Sequence, residues 1–207
     1  MKATQSRVLL TGASGGIGQA AAATLLKAGS ALMLTGRSPA GLAAQARALV
    51  RDHGVDRRRV EWCASDLSRV EDLQGLAEAA ASWECNTLIH AAGLPAFGRA
   101  DAFRAEDTSR ILNTNLLAPM LRTQALLAHL RAQPRSQVIF IGSVLGRLGL
   151  PGYGVYSAGK FGLRGFAESL RRELADTSVR VQFLGPRATE TAFNSDAVRQ
   201  LQPGHGH

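Results

Sequence analysis

Apolar runs and helix-like stretches alternate along this chain from end to end. Arg7–Thr11 reads as a short apolar strand and Gly16–Ala28 as an alanine-rich helix. Ala31–Thr35 predicts a second strand before helical Gly41–Asp52, and Val60–Ala64 a third before a helix over Val70–Trp83. Thr87–Ala91 is the fourth strand. A loop of Gly, Pro and Ala then leads to a long helix near Glu106–Ala132, in which Pro119, with no amide hydrogen, predicts a kink. Val138–Gly142 is the fifth strand, Tyr156–Ala175 a helix and Val179–Leu184 the sixth strand. Apolar strands separated by helices imply a parallel sheet covered on both faces. Right-handed crossovers then give a doubly wound, Rossmann-like α/β fold of three αβα layers, with its ligand at the carboxyl edge of the strands. No repeat, linker or low-complexity block interrupts the pattern, so residues 1–207 are expected to form a single domain.

The first turn of that pattern carries chemistry. Thr11-Gly12-Ala13-Ser14-Gly15-Gly16-Ile17-Gly18 lies where the first strand passes into the first helix. Gly12 permits a tight turn, Gly16 lets backbone approach a pyrophosphate, and Gly18 lets the helix sit close on the sheet. The free amides at the helix start attract anions. At the end of the second strand a fold that prefers NAD usually carries Asp or Glu for the ribose hydroxyls. This chain has Thr35-Gly36-Arg37-Ser38. No carboxylate there repels a 2′-phosphate, and the planar fork of Arg37 suits one, so NADP(H) is expected over NAD(H). Asp66, followed by Leu67, stands just past the third strand, where it either accepts from an adenine amino group or caps the next helix.

Composition narrows the classes. Apolar residues make up 45% and charged residues 19%, the balance of a globular protein, and no apolar run is long enough for a membrane span. With no secretory signal pattern at the start, the cytoplasm is the expected compartment. The net charge of +8 invites a nucleic-acid reading, but lysine occurs only at positions 2, 27 and 160, and the arginines are scattered without aromatic interleaving. Neither nucleic acid nor membrane is an expected partner. Cys63 and Cys85 belong to no CxxC, the histidines form no ligand set with them, and no metal is expected. Both thiols are expected to be reduced and buried.

Tyr156-Ser157-Ala158-Gly159-Lys160 places a phenol and an ammonium one helical turn apart on the same face. A nearby cation favours the phenolate, so such a pair can pass a proton to or from a carbonyl oxygen. Ser143, just past the fifth strand, stands at the same sheet edge as the glycine loop, where its hydroxyl can hold a carbonyl and steady an oxyanion.

Together the glycine loop, Asp66, His90-Ala91-Ala92-Gly93, Asn115, Ser143, Tyr156 and Lys160, in this order, make the chain similar to a classical short-chain dehydrogenase/reductase from Val8 to about Asn194. The resemblance implies that Tyr156 is the general acid/base and that Ser143 orients the substrate. It implies that Lys160 lowers the tyrosine pKa and binds nicotinamide ribose, while Asn115 holds a water in a proton relay with Lys160. Ala92 and Gly93 would border the cofactor, and Pro186, Thr189 and Thr191 would meet its nicotinamide amide. Leu94–Arg104, Val144–Tyr153 and Thr189–Asn194 would line a mainly apolar substrate pocket that includes Leu145, Leu148, Leu150, Tyr153 and Phe193.

The chain also departs from the family pattern. His90-Ala91 stands where Asn-Asn is usual, which removes a side-chain bond that braces the central strands. Gly159 replaces a common serine, and Pro186-Arg187 replaces Pro-Gly. The usual seventh strand is expected to be missing. A homodimer through the 106–132 and 156–175 helices does not need it. The expected activity is NADP(H)-dependent interconversion of a small-molecule carbonyl and an alcohol, with 3-oxoacyl thioesters a specific possibility. Arg122, Arg164, Arg171 and Arg172 either greet an acidic carrier of such thioesters or are plain surface arginines. The competing class is an impaired NADP(H)-binding or sensing protein with the same fold.

Overall fold

The computed structural model describes residues 3–66, 69 and 71–187. Its strands are β1 (Arg7–Thr11), β2 (Ala31–Gly36), β3 (Val60–Ala64), β4 (Thr87–His90), β5 (Ser136–Ile141) and β6 (Val179–Leu184). All pair in parallel in the order β3-β2-β1-β4-β5-β6. The order reverses between β1 and β4, which opens a crevice at their carboxyl ends. The helices are α1 (Gly16–Lys27), α2 (Pro39–His53), α3 (Glu71–Ser82), α4 (Ala105–Leu112), α5 (Ala118–Ala132) and α6 (Gly154–Glu173). This is the expected Rossmann-like α/β architecture, with six strands among the described residues.

Because side chains alternate across a strand, β1 feeds two cores. Leu9 joins Leu88, Val138 and Phe140 under Leu76 of α3, Leu126 and Leu130 of α5, and Leu163 and Leu170 of α6. Val8 and Leu10 join Leu32, Leu34 and Ile89 under Ala22 and Leu26 of α1 and Leu42 and Ala46 of α2. Burial on both faces is why β1, β2 and β4 read as apolar runs, whereas the edge strand β6 alternates buried and exposed residues over Val179–Gln182. No helix among the described residues is long and apolar enough to cross a membrane.

Several local expectations change. α2 opens at Pro39, two residues before the expected Gly41, because Ser38 caps it: the Gly41 amide donates to Ser38 Oγ at 3.0 Å, and Pro39 takes the first turn, where its missing donor costs nothing. The long helix expected over 106–132 is interrupted one turn before Pro119, by a π turn over Asn113–Leu117 that the Ala118 amide closes onto the Asn113 carbonyl. A proline ring collides with the carbonyl four residues back, here that of Asn115, and the helix widens around that residue. Arg122 is not a surface arginine. It is 2% exposed, and Nε and Nη2 have no hydrogen-bond partner among the described residues. Cys85 is buried as expected, whereas Cys63 is only half-buried.

The central strands are braced despite the loss of Asn-Asn. Thr11 Oγ1 accepts from the Ala91 and Ala92 amides at 3.2 and 3.3 Å. His90 stacks on Phe140 with centroids 5.0 Å apart, and its Nε2 lies 3.0 Å from Thr123 Oγ1. That hydroxyl already donates to the Pro119 carbonyl at 2.8 Å, so His90 Nε2 is the donor to it. Full burial drives the His90 pKa down to about 3 and keeps the ring neutral.

Candidate active site

A single cleft of about 510 Å³ runs along the carboxyl edge, from the turn after β1 to the start of α6. One end is made by the glycine turn. Gly12 has φ +68°, and a Cβ there would lie 2.5 Å from Ala92 backbone; a Cβ on Gly18 would meet the Gly12 carbonyl oxygen at 2.1 Å. The turn thus packs α1 directly onto backbone. Gly15, at the N-cap of α1, provides no side-chain cap, which leaves first-turn amides open to an anion.

Gly12, Ser14, Gly15, Gly16, Ile17, Gly18, Arg37, Asp66, Ala92, Gly93, Ser143, Tyr156, Lys160 and Pro186 all border this cleft. α3 opens at Glu71, five residues after Asp66, whose amide donates to Asp72 Oδ2 at 2.7 Å. Ser38 is not part of the cleft wall, its hydroxyl being the α2 cap. Leu67, Thr189 and Thr191, with the rest of the 189–194 segment and Phe193, lie outside the described residues. Leu145, Leu150 and Tyr153 border the cleft, whereas Leu148 is on the surface.

Asn115 sits behind the wall, fully buried in the π turn. Its Oδ1 accepts from the Leu94 amide at 2.7 Å and its Nδ2 donates to the Leu94 carbonyl at 2.9 Å, so the side chain holds the loop after β4. Gly159 explains itself here. A Cβ on it would stand 3.3 Å from Asn115 Cβ, so glycine lets α6 press against the π turn.

Tyr156 and Lys160 share one face of α6, 8% and 4% exposed. Lys160 Nζ donates to the Ile141 carbonyl at 3.0 Å and lies 5.7 Å from the Tyr156 ring centroid. Burial lowers the lysine pKa to about 8. The Tyr156 pKa is raised, first by burial, while a hydrogen bond with Ser143 pulls it down and nearby Tyr153 pushes it up. The phenol therefore keeps its proton at neutral pH. Ser143 Oγ also accepts from the Leu145 amide at 3.1 Å, and the Val144 amide donates to the Pro186 carbonyl at 3.1 Å, tying the segment after β6 to this turn.

Arg110 and Thr114 also border the cleft without having been singled out from sequence. They stand four apart, but nothing in the sequence says which face of α4 and the π turn looks into the crevice. Arg187, one of the departures from the family pattern, borders it too.

A glycine turn, an arginine in place of the acidic residue, and a Ser-Tyr-Lys group sharing one cleft suit a nicotinamide nucleotide. Over 192 residues the chain is 33% identical to a 3-oxoacyl-[acyl-carrier-protein] reductase of Bos taurus, covering 92% of this chain and 78% of the relative. It is 30% identical to a 3-ketodihydrosphingosine reductase of the same species, covering 90% of this chain but only 57% of that longer protein. An alcohol dehydrogenase from Thermococcus sibiricus complexed with 5-hydroxy-NADP superposes with a TM-score of 0.82 at 27% identity, over 90% of this chain and 77% of the other. The family model described as short chain dehydrogenase matches residues 6–202, and the chain belongs to that family of oxidoreductases.

Proposed function

We propose that this chain is an NADP(H)-dependent carbonyl reductase in which Tyr156 is the general acid. The observation that carries the reading is the meeting of Tyr156, Lys160 and Ser143 in the same cleft as the Gly12–Gly18 turn. The residues fit the cofactor: the close packing around Gly12 and Gly18 leaves a backbone cradle, the uncapped amides suit a pyrophosphate, and Arg37 suits a 2′-phosphate. When bound, NADPH supplies the hydride for the carbonyl carbon.

The protein supplies the proton and the geometry. Tyr156 Oη, held protonated by burial, gives its proton to the substrate oxygen, and Ser143 Oγ steadies the charge that develops there. The Lys160 cation stabilises the resulting phenolate, and a pKa of about 8 suits Lys160 to hand on a proton near neutral pH. Pro119 has no amide to send to the Asn115 carbonyl, so that oxygen can take the water that refills the relay. The two named relatives support ketone reduction, with 3-oxoacyl thioesters as one substrate class. A homodimer through α4, α5 and α6 accords with Leu117 and Phe161, both exposed on that side at 43% and 45%.

The test is Tyr156→Phe. NADPH oxidation against a panel of ketones, aldehydes and acyl thioesters is expected to fall by at least about a hundredfold, with the Kd for NADPH unchanged. Full turnover by the variant refutes the acid role, and a wild-type protein that binds NADPH but reduces nothing supports the sensing reading instead.

A further inference from the structure

The loops that follow β4 and β5 are clasped across the cleft. The Gly98 amide donates to the Gly152 carbonyl at 2.9 Å, and the Phe97 ring packs edge-on against Tyr153 with centroids 4.9 Å apart at 60°. Gly152 has φ +80°, and a Cβ on it would lie 2.5 Å from Phe97 Cε2 and 3.0 Å from Cζ. Only glycine lets the ring rest there. Tyr153 is the N-cap residue of α6, and its carbonyl accepts from the Ser157 amide at 2.7 Å, so the aromatic pair is fixed to the helix that carries Tyr156. Tyr153 also packs against the apolar cluster that contains Ala96, Ile111 and Tyr156. Phe97, Tyr153, Ser143 and Tyr156 all border the cleft.

We propose that Phe97, seated on Gly152 and Tyr153, is a specificity-determining residue that selects carbonyl compounds with an unbranched apolar substituent next to the carbonyl carbon. This rests on the carbonyl-reduction reading above and adds the shape of the substrate to it. The ring is braced from beneath by backbone and at its edge by a second ring. It cannot step aside for a branch or an aryl group as a lone loop phenylalanine would. A straight chain slides along its apolar surface, and a branch at the α-carbon meets it. In an apolar pocket the cost of one misplaced methyl is about ten- to two-hundredfold in kcat/KM.

The experiment compares methyl n-hexyl ketone, its α-methyl-branched homologue and methyl phenyl ketone, in wild type, Phe97→Ala and Gly152→Ala. Wild type is expected to favour the straight chain by at least about tenfold in kcat/KM. Phe97→Ala is expected to bring that ratio to within about twofold, with the KM for NADPH unchanged. Gly152→Ala, which evicts the ring without removing it, is expected to reproduce the relaxed ratio. The same three ketones titrated calorimetrically into the NADP⁺-bound protein read the pocket independently of turnover. Absence of turnover with all three but retained straight-chain preference in binding would sink the redox reading and keep this one. Equal scaling of all three ketones by Phe97→Ala, in rate or in binding, overturns the assignment.

Discussion

Lys160 is expected to cost the fold stability that its chemistry requires. It is 4% exposed, its ammonium donates to the Ile141 carbonyl, and burial lowers its pKa from 10.5 to about 8. The unfolded chain therefore binds a proton more tightly than the folded one does. At about 1.4 kcal/mol per pH unit, the difference amounts to about 3 kcal/mol of folding free energy lost wherever both states are protonated, which is below pH 8. Between about pH 8 and 10.5 the folded lysine has released its proton while the unfolded one still holds it, and the penalty fades as pH rises. Lys160→Met keeps the length of the side chain and removes the charge. It leaves the Ile141 carbonyl without that donor, at about 1 kcal/mol. The net expectation is a variant about 2 kcal/mol more stable than wild type at pH 7 and inactive as a reductase. Urea unfolding followed by circular dichroism measures the difference, which should shrink by about 2 kcal/mol by about pH 9.5. A variant less stable than wild type at pH 7, or a gap that does not change across that range, refutes the reasoning.

Two further outcomes follow from other residues. His90, neutral in the core with a pKa of about 3 against 6.5 in the unfolded chain, contributes stability that is complete above pH 6.5 and is lost as pH falls toward 3. The loss at pH 5 is about 2 kcal/mol, and urea unfolding of His90→Asn should show a weaker dependence on pH by that amount. Arg37 borders the cleft at the end of β2 with no carboxylate beside it in Thr35-Gly36-Arg37-Ser38, so fluorescence titration should give a Kd for NADPH at least about tenfold below that for NADH. Arg37→Asp should abolish that preference; an unchanged ratio would remove Arg37 from the cofactor site.

Much of the fold was present in one-dimensional pattern. The bounds of β1, β3 and β6 agree with the sequence reading to the residue, although only β1 is buried on both faces and the edge strands β3 and β6 expose part of their length. Gly12 and Gly18 announced a strand-to-helix turn, and the four-residue spacing of Tyr156 and Lys160 placed them on one face of one helix. These are local properties, set by backbone sterics and helical period. The helix through Pro119 was legible only as an interruption. Its form, a π turn that brings Asn115 to the Leu94 backbone, depends on what lies across from it.

The tertiary structure alone decided which residues separated in sequence share an environment. Arg122 looks in sequence like any other arginine on an alanine-rich helix, yet the packing of α5 against the sheet and α3 buries it. His90 reads as a lost asparagine until Thr123 and Phe140, 33 and 50 residues away, turn it into a neutral brace. The seat of Phe97 on Gly152 joins two loops 55 residues apart. Local pattern fixes where the chain turns and which face is apolar. Which side chains lose their water, and with it their ordinary pKa and freedom to move, is settled only when distant segments pack together.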